Sequence, residues 1–461
     1  MTDSLTAVHE LMLMRAYVNS GATRGYAFRK QQLLLLRDAI LENEKEIYAA
    51  LYQDLKKPAE ETYATEIGMV LMEIRIALKN LRKWTRPERV PTNLLNLPSS
   101  SKIIHDPLGV VFIIAPWNYP FHLLILPLVG AIAGGNAVML KPSELAPATA
   151  ALMEKMIRNI FPSRYISIAT GDGAALIPPM IRGFRFDHIF YTGGTEVGKR
   201  IYQLAAEQLV PVTLELGGKN PAVIERDADL DIAAKKIAIG KFLNAGQTCV
   251  APDYLLIHSS VRENFLKKLR EAITRFYGDD AESGGSYGRI INEKRFDLLV
   301  GYLSEANIVF GGRHDREKLF IAPTILEGIP AGAALMKQEI FGPLLPVFTY
   351  ETMEEALKFI SANPSPLAFY LFTQNEETEQ KWMESLSFGG GCVNNTLWHL
   401  SNYHLPFGGI GNSGMGAYHG KHSFYRFTHA KPVMKTPRWF DPAVKYPPFT
   451  GKMKWIKKQI R

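Results

Sequence analysis

Cysteine is scarce in this chain, with Cys249 and Cys392 the only two among 461 residues. Two thiols cannot staple a protein of this length, so a disulfide scaffold is excluded and a reducing compartment, the cytoplasm, is expected. The opening Met-Thr-Asp-Ser-Leu-Thr-Ala-Val-His-Glu lacks a basic stretch followed by an apolar one, so no signal peptide is expected. Charge of one sign is also thin: 53 Lys and Arg against 45 Asp and Glu leave +8. Spread over this length, that surplus does not make a phosphate-neutralising surface, and nucleic acid is not an expected partner. With 47% hydrophobic and 21% charged residues the chain is not disordered, and its length suits about three domain-sized units.

One long run lacks charge altogether. Residues 107–140 contain no Asp, Glu, Lys or Arg, which raises the question of a membrane span. Pro116, Pro120 and Pro127 interrupt the run, as do Trp117-Asn118 and Gly134-Gly135-Asn136. A strand over 109–115, a helix over 121–132 and a strand over 137–141 fit it better. Such a βαβ unit, covered on both faces, reads as unbroken apolar sequence.

Residues 5–84 are rich in helix formers and lack proline until Pro58. The stretch 92–105 is polar and short-stranded, an arm rather than a domain. From 109 to 212 strands and helices alternate, the pattern of a parallel sheet. Within it a strand over 187–191, a turn over 192–198 and a helix over 199–208 form a glycine-bearing strand-to-helix junction. Gly193, Gly194 and Gly198 there permit close approach to a pyrophosphate, and an unliganded tight turn fits the local sequence as well. A strand and a Gly-Gly turn are expected within 211–223, a helix over 228–244, a strand over 254–258, and a hairpin joining 307–310 to 319–321 through Gly311-Gly312. The glycines after Gly408 lack the Gly-Lys-Ser/Thr of a phosphate loop, which excludes a nucleotide triphosphatase.

Two residues invite chemistry. Cys249, in Gly246-Gln247-Thr248-Cys249, lies between a helix end and a strand, where it is either a nucleophile or a small buried hydrophobe. Glu215, in Leu214-Glu215-Leu216-Gly217-Gly218-Lys219, is flanked by leucines. It is either a carboxylate raised toward neutrality, as a general base requires, or the partner of Lys219.

Several motifs stand in one order along the chain: Pro116-Trp117-Asn118, Lys141-Pro142-Ser143-Glu144, Tyr191-Thr192-Gly193-Gly194-Thr195-Glu196-Val197-Gly198, the Glu215 and Cys249 segments, Glu339-Ile340-Phe341-Gly342-Pro343, and Pro406-Phe407-Gly408-Gly409. On these the chain resembles the aldehyde dehydrogenases over essentially its whole length, and within them the class 3 branch that includes fatty aldehyde dehydrogenases. The resemblance implies an α/β fold with a Rossmann-like NAD-binding domain, an α/β catalytic domain and a small β oligomerisation arm. It places these at 1–86 with 107–213, at 214–404, and at 87–106 with 419–436, leaving 437–461 as a basic tail.

The same resemblance implies a reaction. Cys249 as thiolate attacks an aldehyde, Asn118 with the Cys249 backbone N–H holds the oxyanion, hydride passes to nicotinamide, and Glu215 activates water against the thioester. Trp117, Lys141, Glu144, Gly193, Gly194, Gly198, Glu339 and Phe341 are the expected cofactor residues, with NAD favoured by Glu144 and NADP admitted by Lys141. The substrate implied is a medium- to long-chain aliphatic or an aromatic aldehyde, and the assembly a homodimer. Glu215 speaks against a CoA-acylating relative, and the set Cys249, Glu215 and Asn118 against a descendant that kept the fold without turnover. Gly194 stands where many relatives have Ser or Asn, and Tyr191 where Phe is common.

The loop 394–404, with Trp398, His399 and His404, is individual and is expected at the substrate mouth. Its histidines lack ligand spacing, so no metal is expected, and both read as surface residues. In animal fatty aldehyde dehydrogenases a hydrophobic span follows the region of the tail. Here no span follows, so a soluble enzyme is expected. Lys452, Lys454, Lys457, Lys458 and Arg461, interleaved with Met453, Trp455, Ile456 and Ile460, suit at most weak, salt-sensitive contact with an anionic membrane surface.

Overall fold

The computed structural model describes residues 4–454 and Lys457. The apolar run resolves into strand Val110–Ile114, helix His122–Gly134 and strand Ala137–Lys141, all buried. Among the described residues no helix is long and apolar enough to cross a membrane.

These strands lie in a six-stranded sheet with the order Gly414–Met415, Val212–Glu215, His188–Thr192, Val110–Ile114, Ala137–Lys141 and Ile166–Ile168. All neighbours are parallel except Gly414–Met415, which pairs antiparallel with Val212–Glu215. Successive strands run outward from Val110–Ile114 to one edge, then restart on its other side at His188–Thr192. The gap beyond their carboxyl ends is therefore a topological switch point, where open α/β sheets take up ligands. Pro116-Trp117-Asn118 and Gly193-Gly194 follow those two strands.

A second sheet has seven strands, in the order Asn307–Phe310, Thr324–Glu327, Leu344–Tyr350, Tyr254–His258, Pro221–Ile224, Ala368–Phe372 and Gly390–Val393. Only its first pair is antiparallel. The chain passes from the first sheet to the second within residues 216–220. Each sheet has its own apolar core, one around Phe112, Leu140 and Phe190, the other around Leu255, Leu345 and Tyr370.

The N-terminal region is helical as expected, with Ser4–Asn19, Tyr26–Glu42, Glu44–Leu55 and Gly68–Trp84 as its main helices. A π-helical turn, Tyr63–Ile67, precedes the last of them. Such turns concentrate at functional sites.

Ser100–Pro107 forms the middle of a three-stranded antiparallel sheet between Glu88–Val90 and Thr428–Lys435. The arm expected at 419–436 is shorter than that range. Ser423, Phe424 and Phe427 are buried, with both phenylalanines in the first core, and only Thr428–Lys435 is strand.

Other expectations need correction. The hairpin joining 307–310 to 319–321 does not form: Asn307–Phe310 pairs with Thr324–Glu327, while Phe320–Ile321 pairs with His314–Asp315. Gly311 and Gly312, both at positive φ, turn the chain into that longer excursion. The helix expected from residue 199 starts at Thr195, so Gly198 lies within its first turns rather than in the turn before it. Of the tail, Trp455, Ile456, Lys458, Ile460 and Arg461 lie outside the described residues. Lys452 Nζ donates to the carbonyls of Tyr446, at 2.7 Å, and Ala443.

Candidate active site

Cys249 approaches from the second sheet, just ahead of strand Tyr254–His258, and its loop is built under strain. Asn244 and Ala245, with φ of 53° and 51°, hold left-handed backbone that residues with a Cβ seldom adopt. Polar side chains fix it there. Gln247 Nε2 donates to the carbonyls of Asn244 and Arg289, and its Oε1 accepts from the Ile291 N–H. Asn220 Nδ2 donates to the Cys249 carbonyl at 2.7 Å and to that of Ala251.

Asn118 arrives from the switch-point loop of the first sheet. Its Nδ2 donates to the Gln247 carbonyl at 3.0 Å, which orients the amide and leaves its second hydrogen unassigned. Its own carbonyl accepts from Asn244 Nδ2 at 2.8 Å and from the buried Lys57 Nζ. Lys57 pairs with Glu66, whose other oxygen accepts the N–H groups of Phe121 and His122. Tyr119 joins the two loops through its hydroxyl, 2.7 Å from Thr248 Oγ1.

Glu215 ends strand Val212–Glu215, 3% exposed, with neither carboxylate oxygen hydrogen-bonded. Lys219 is not its partner: that ammonium pairs with Asp253 and donates to the Leu335 and Gln338 carbonyls. Burial pushes the Glu215 carboxyl well up, with Arg426 pulling the other way. Burial, then the charges of Glu339 and Glu215, push the Cys249 thiol up to about 12, while the backbone N–H groups of Cys249 and Val250 oppose them. These surroundings disfavour the charged sulfur before cofactor and substrate are bound.

Two cavities meet here. One is a cleft of about 850 Å³ at the switch point, lined by Trp117, Asn118, Gly193, Gly194, Glu339 and Phe341 among others. The other, of about 300 Å³, is lined chiefly by apolar side chains and includes Leu397, Trp398 and Leu400 from the individual loop. Cys249, Glu215 and Thr192 line both.

Several features of the cleft fit a dinucleotide. Helix Thr195–Ala206 has no side-chain cap at Gly194, so its first N–H groups are free for an anion. A Cβ at Gly194 would meet open space, so the glycine there costs nothing in packing. Tyr191, in place of a phenylalanine, gains a hydrogen bond from its hydroxyl to the Gly194 carbonyl at 3.2 Å. Across the cleft Phe341, at a φ of 47°, meets Trp117 edge to face, with ring centroids 5.3 Å apart. A Cβ at Gly217 would run into the Glu339 carboxylate, so the glycine makes room for that side chain. Burial and Asp253 raise Glu339 to about 8, against Arg295 and Lys219.

The remaining expected cofactor residues sit apart from the cleft lining. Lys141 Nζ, at the end of its strand, donates to Glu144 Oε2 at 2.9 Å, and Gly173 N–H reaches the other oxygen. Burial works against the Glu144 carboxylate, but these bonds outweigh it and hold the group below its usual range. Their neighbour Leu145 does line the cleft. Gly198 is covered, since a Cβ there would press on Leu216 and Tyr191, so it serves helix-to-strand packing.

In the loop 394–404, His404 is exposed as expected and His399 is not. His399 stacks on Phe407 and has Nδ1 3.5 Å from Cys392 Sγ, and burial lowers it to about 4. Among the described residues no three of His, Cys, Asp and Glu are grouped as metal ligands. Sequence reasoning missed Glu61, Tyr119, His122, Tyr418 and His419 on the smaller cavity's wall. They come from distant segments, and no local pattern marks them.

A thiol and an unpartnered carboxylate thus stand where a dinucleotide-sized cleft meets an apolar cavity, and comparison with known proteins gives the family. Residues 20–433 match the aldehyde dehydrogenase family, and the chain belongs to it. It is 46% identical over 445 residues to 4,4'-diaponeurosporen-aldehyde dehydrogenase of Staphylococcus aureus, covering 96% of each chain. It is 44% identical to the dog "Aldehyde dehydrogenase, dimeric NADP-preferring", covering 95% of this chain and 97% of that one. A solved structure titled "Substrate bound state of Staphylococcus Aureus AldH" superposes with a TM-score of 0.96 at 45% identity, covering 98% of this chain and 99% of that one. The protein is thus an enzyme that oxidises aldehydes to carboxylic acids with NAD or NADP.

Proposed function

We propose that this enzyme oxidises medium- to long-chain aliphatic or aromatic aldehydes through a covalent intermediate on Cys249, which water then hydrolyses. The observation that carries this reading is the position of Cys249 and Glu215 on both cavities, one sized and furnished for a dinucleotide, the other apolar.

The Cys249 thiol gives its proton to solvent water, and the sulfur adds to the aldehyde carbon as the carbonyl electron pair moves onto oxygen, giving the thiohemiacetal anion. The free hydrogen of the Asn118 amide and the Cys249 N–H stabilise the oxyanion, each such donor being worth roughly 3–4 kcal/mol. Bound NAD or NADP supplies the hydride acceptor that converts this adduct to a thioester. Trp117, Gly193, Gly194, Glu339 and Phe341 would hold the cofactor in the cleft, and the Lys141–Glu144 pair, beyond Leu145, would meet its adenosine ribose. A carboxylate kept charged there favours a ribose 2′-hydroxyl over a 2′-phosphate, so NAD is the preferred partner. Glu215, whose oxygens have no protein donor to satisfy, takes a proton from water as the water attacks the thioester, and the acid leaves.

The sheet containing Thr428–Lys435 exposes that eight-residue strand at its edge, which supports a homodimer formed across it. The two free thiols support a cytoplasmic setting. The tail exposes Trp439, Phe449 and Met453 as well as Lys454 and Lys457, which supports weak contact with anionic membranes. Following absorbance of the reduced cofactor with nonanal, NAD and no CoA tests the principal reading. Dependence of turnover on CoA would overturn it.

A further inference from the structure

Three buried polar atoms, on residues that line the apolar cavity, have no part in the chemistry above. Glu61 Oε1, His122 Nε2 and His419 Nε2 are each buried without a hydrogen-bond partner, and all three residues line the cavity.

The His419 tautomer is fixed by its other nitrogen. Nδ1 lies 3.0 Å from the Leu400 carbonyl oxygen, which can only accept, so Nδ1 carries the hydrogen and Nε2 presents a lone pair. Burial lowers this imidazole to about 4, so it stays neutral. Stacking on Phe407, 5.1 Å between centroids, and a 2.8 Å bond from the His419 N–H to Ser423 Oγ hold the residue in place. Glu61 accepts the backbone N–H of Asn244. Burial lifts its carboxyl to about 7 against the pull of Lys57, so near neutrality both acid and carboxylate are present. Either form keeps an oxygen that accepts.

Around these acceptors stand Met69, Leu123, Ile239, Leu243 and Leu397. A plain hydrocarbon chain would leave the acceptors dry, which forfeits binding. A hydroxyl answers them: it donates to a lone pair and can receive the proton of the Glu61 acid. An ammonium would lose its hydration against the apolar walls.

On these grounds we infer that the cavity selects aldehydes bearing a hydroxyl remote from the aldehyde carbon, which donates to His419 Nε2 or Glu61 Oε1. The inference rests on this cavity being the aldehyde site, as proposed above. Glu61 and His419 then set which aldehyde is held and take no part in bond-making.

The test uses near-isosteric pairs in which a hydroxymethyl replaces an ethyl group: para-hydroxymethylbenzaldehyde against para-ethylbenzaldehyde, and octanal carrying a terminal hydroxyl against nonanal. The hydroxylated member of at least one pair should show a kcat/KM about tenfold or more above its partner with the wild-type enzyme. Glu61→Leu and His419→Phe should each pull that ratio down, and Glu61→Gln, which keeps an accepting oxygen, should retain more of it than Glu61→Leu. Wild-type ratios near or below one for both pairs overturn the inference, and this readout needs no variant to fold. A wild-type preference untouched by both Glu61→Leu and His419→Phe also overturns it. Failure to oxidise any of the four aldehydes would instead sink the functional reading on which it rests.

Discussion

Replacing Glu215 by Gln should separate the two halves of the reaction. The exchange is nearly isosteric and breaks no hydrogen bond within the protein, because neither carboxylate oxygen has a partner. Glu215 is also one of the charges that hold the Cys249 thiol up, so its loss makes attack by the sulfur no harder. What disappears is the base that draws a proton from water. A positioned base contributes roughly a hundredfold to ten-thousandfold, so the steady state should fall by that range while the first turnover survives. In a stopped-flow trace at pH 7, reduced cofactor should rise rapidly to about one equivalent per active site and then creep. A slow linear trace from time zero would refute the reasoning and place Glu215 before hydride transfer. Stability gives a second reading of the same buried carboxyl. Its folded-state value is raised, so its contribution to stability is present at low pH and is lost as pH rises toward and through that value. The Gln variant should therefore gain in melting temperature relative to wild type as pH is raised.

Cys249→Ala should leave less than about a thousandth of the activity, a loss of roughly 4 kcal/mol, with cofactor binding by fluorescence titration near wild type. Asn118→Ala should lower kcat by about a hundredfold to a thousandfold in steady-state assays, since it removes one oxyanion donor. Wild-type steady-state turnover should increase with pH as Glu215 ionises, and a pH profile of the Gln variant should lose that rise. Light scattering at micromolar concentration should give a dimer mass, and a monomer would refute pairing through Thr428–Lys435.

Sequence carried furthest where the signal was local. Strand Tyr254–His258 and the βαβ unit were legible because both faces of each strand are covered and the apolar runs are unbroken. Cys249 and Glu215 were picked out by their flanking residues, and the order of motifs assigned them roles. What depends on distant contacts was not legible. Lys219, four residues from Glu215, turns to Asp253, which lies much farther along the chain. The Cys249 thiol is raised by burial and by Glu339, neither of which its own segment reveals. Glu61 looks like any exposed helix residue until the fold brings Asn244 and the cavity against it. The helix beginning at Thr195 was misjudged because Gly198 reads as turn, whereas its missing side chain admits Leu216.

The central claim is a covalent acyl group on Cys249. Mixing the Glu215→Gln enzyme with NAD and nonanal, quenching in acid within the burst and digesting for mass spectrometry tests it most directly. The expected result is a nonanoyl mass increment on the peptide carrying Cys249, absent when NAD is omitted. An unmodified Cys249 after a full burst, or the increment on Cys392, would contradict it.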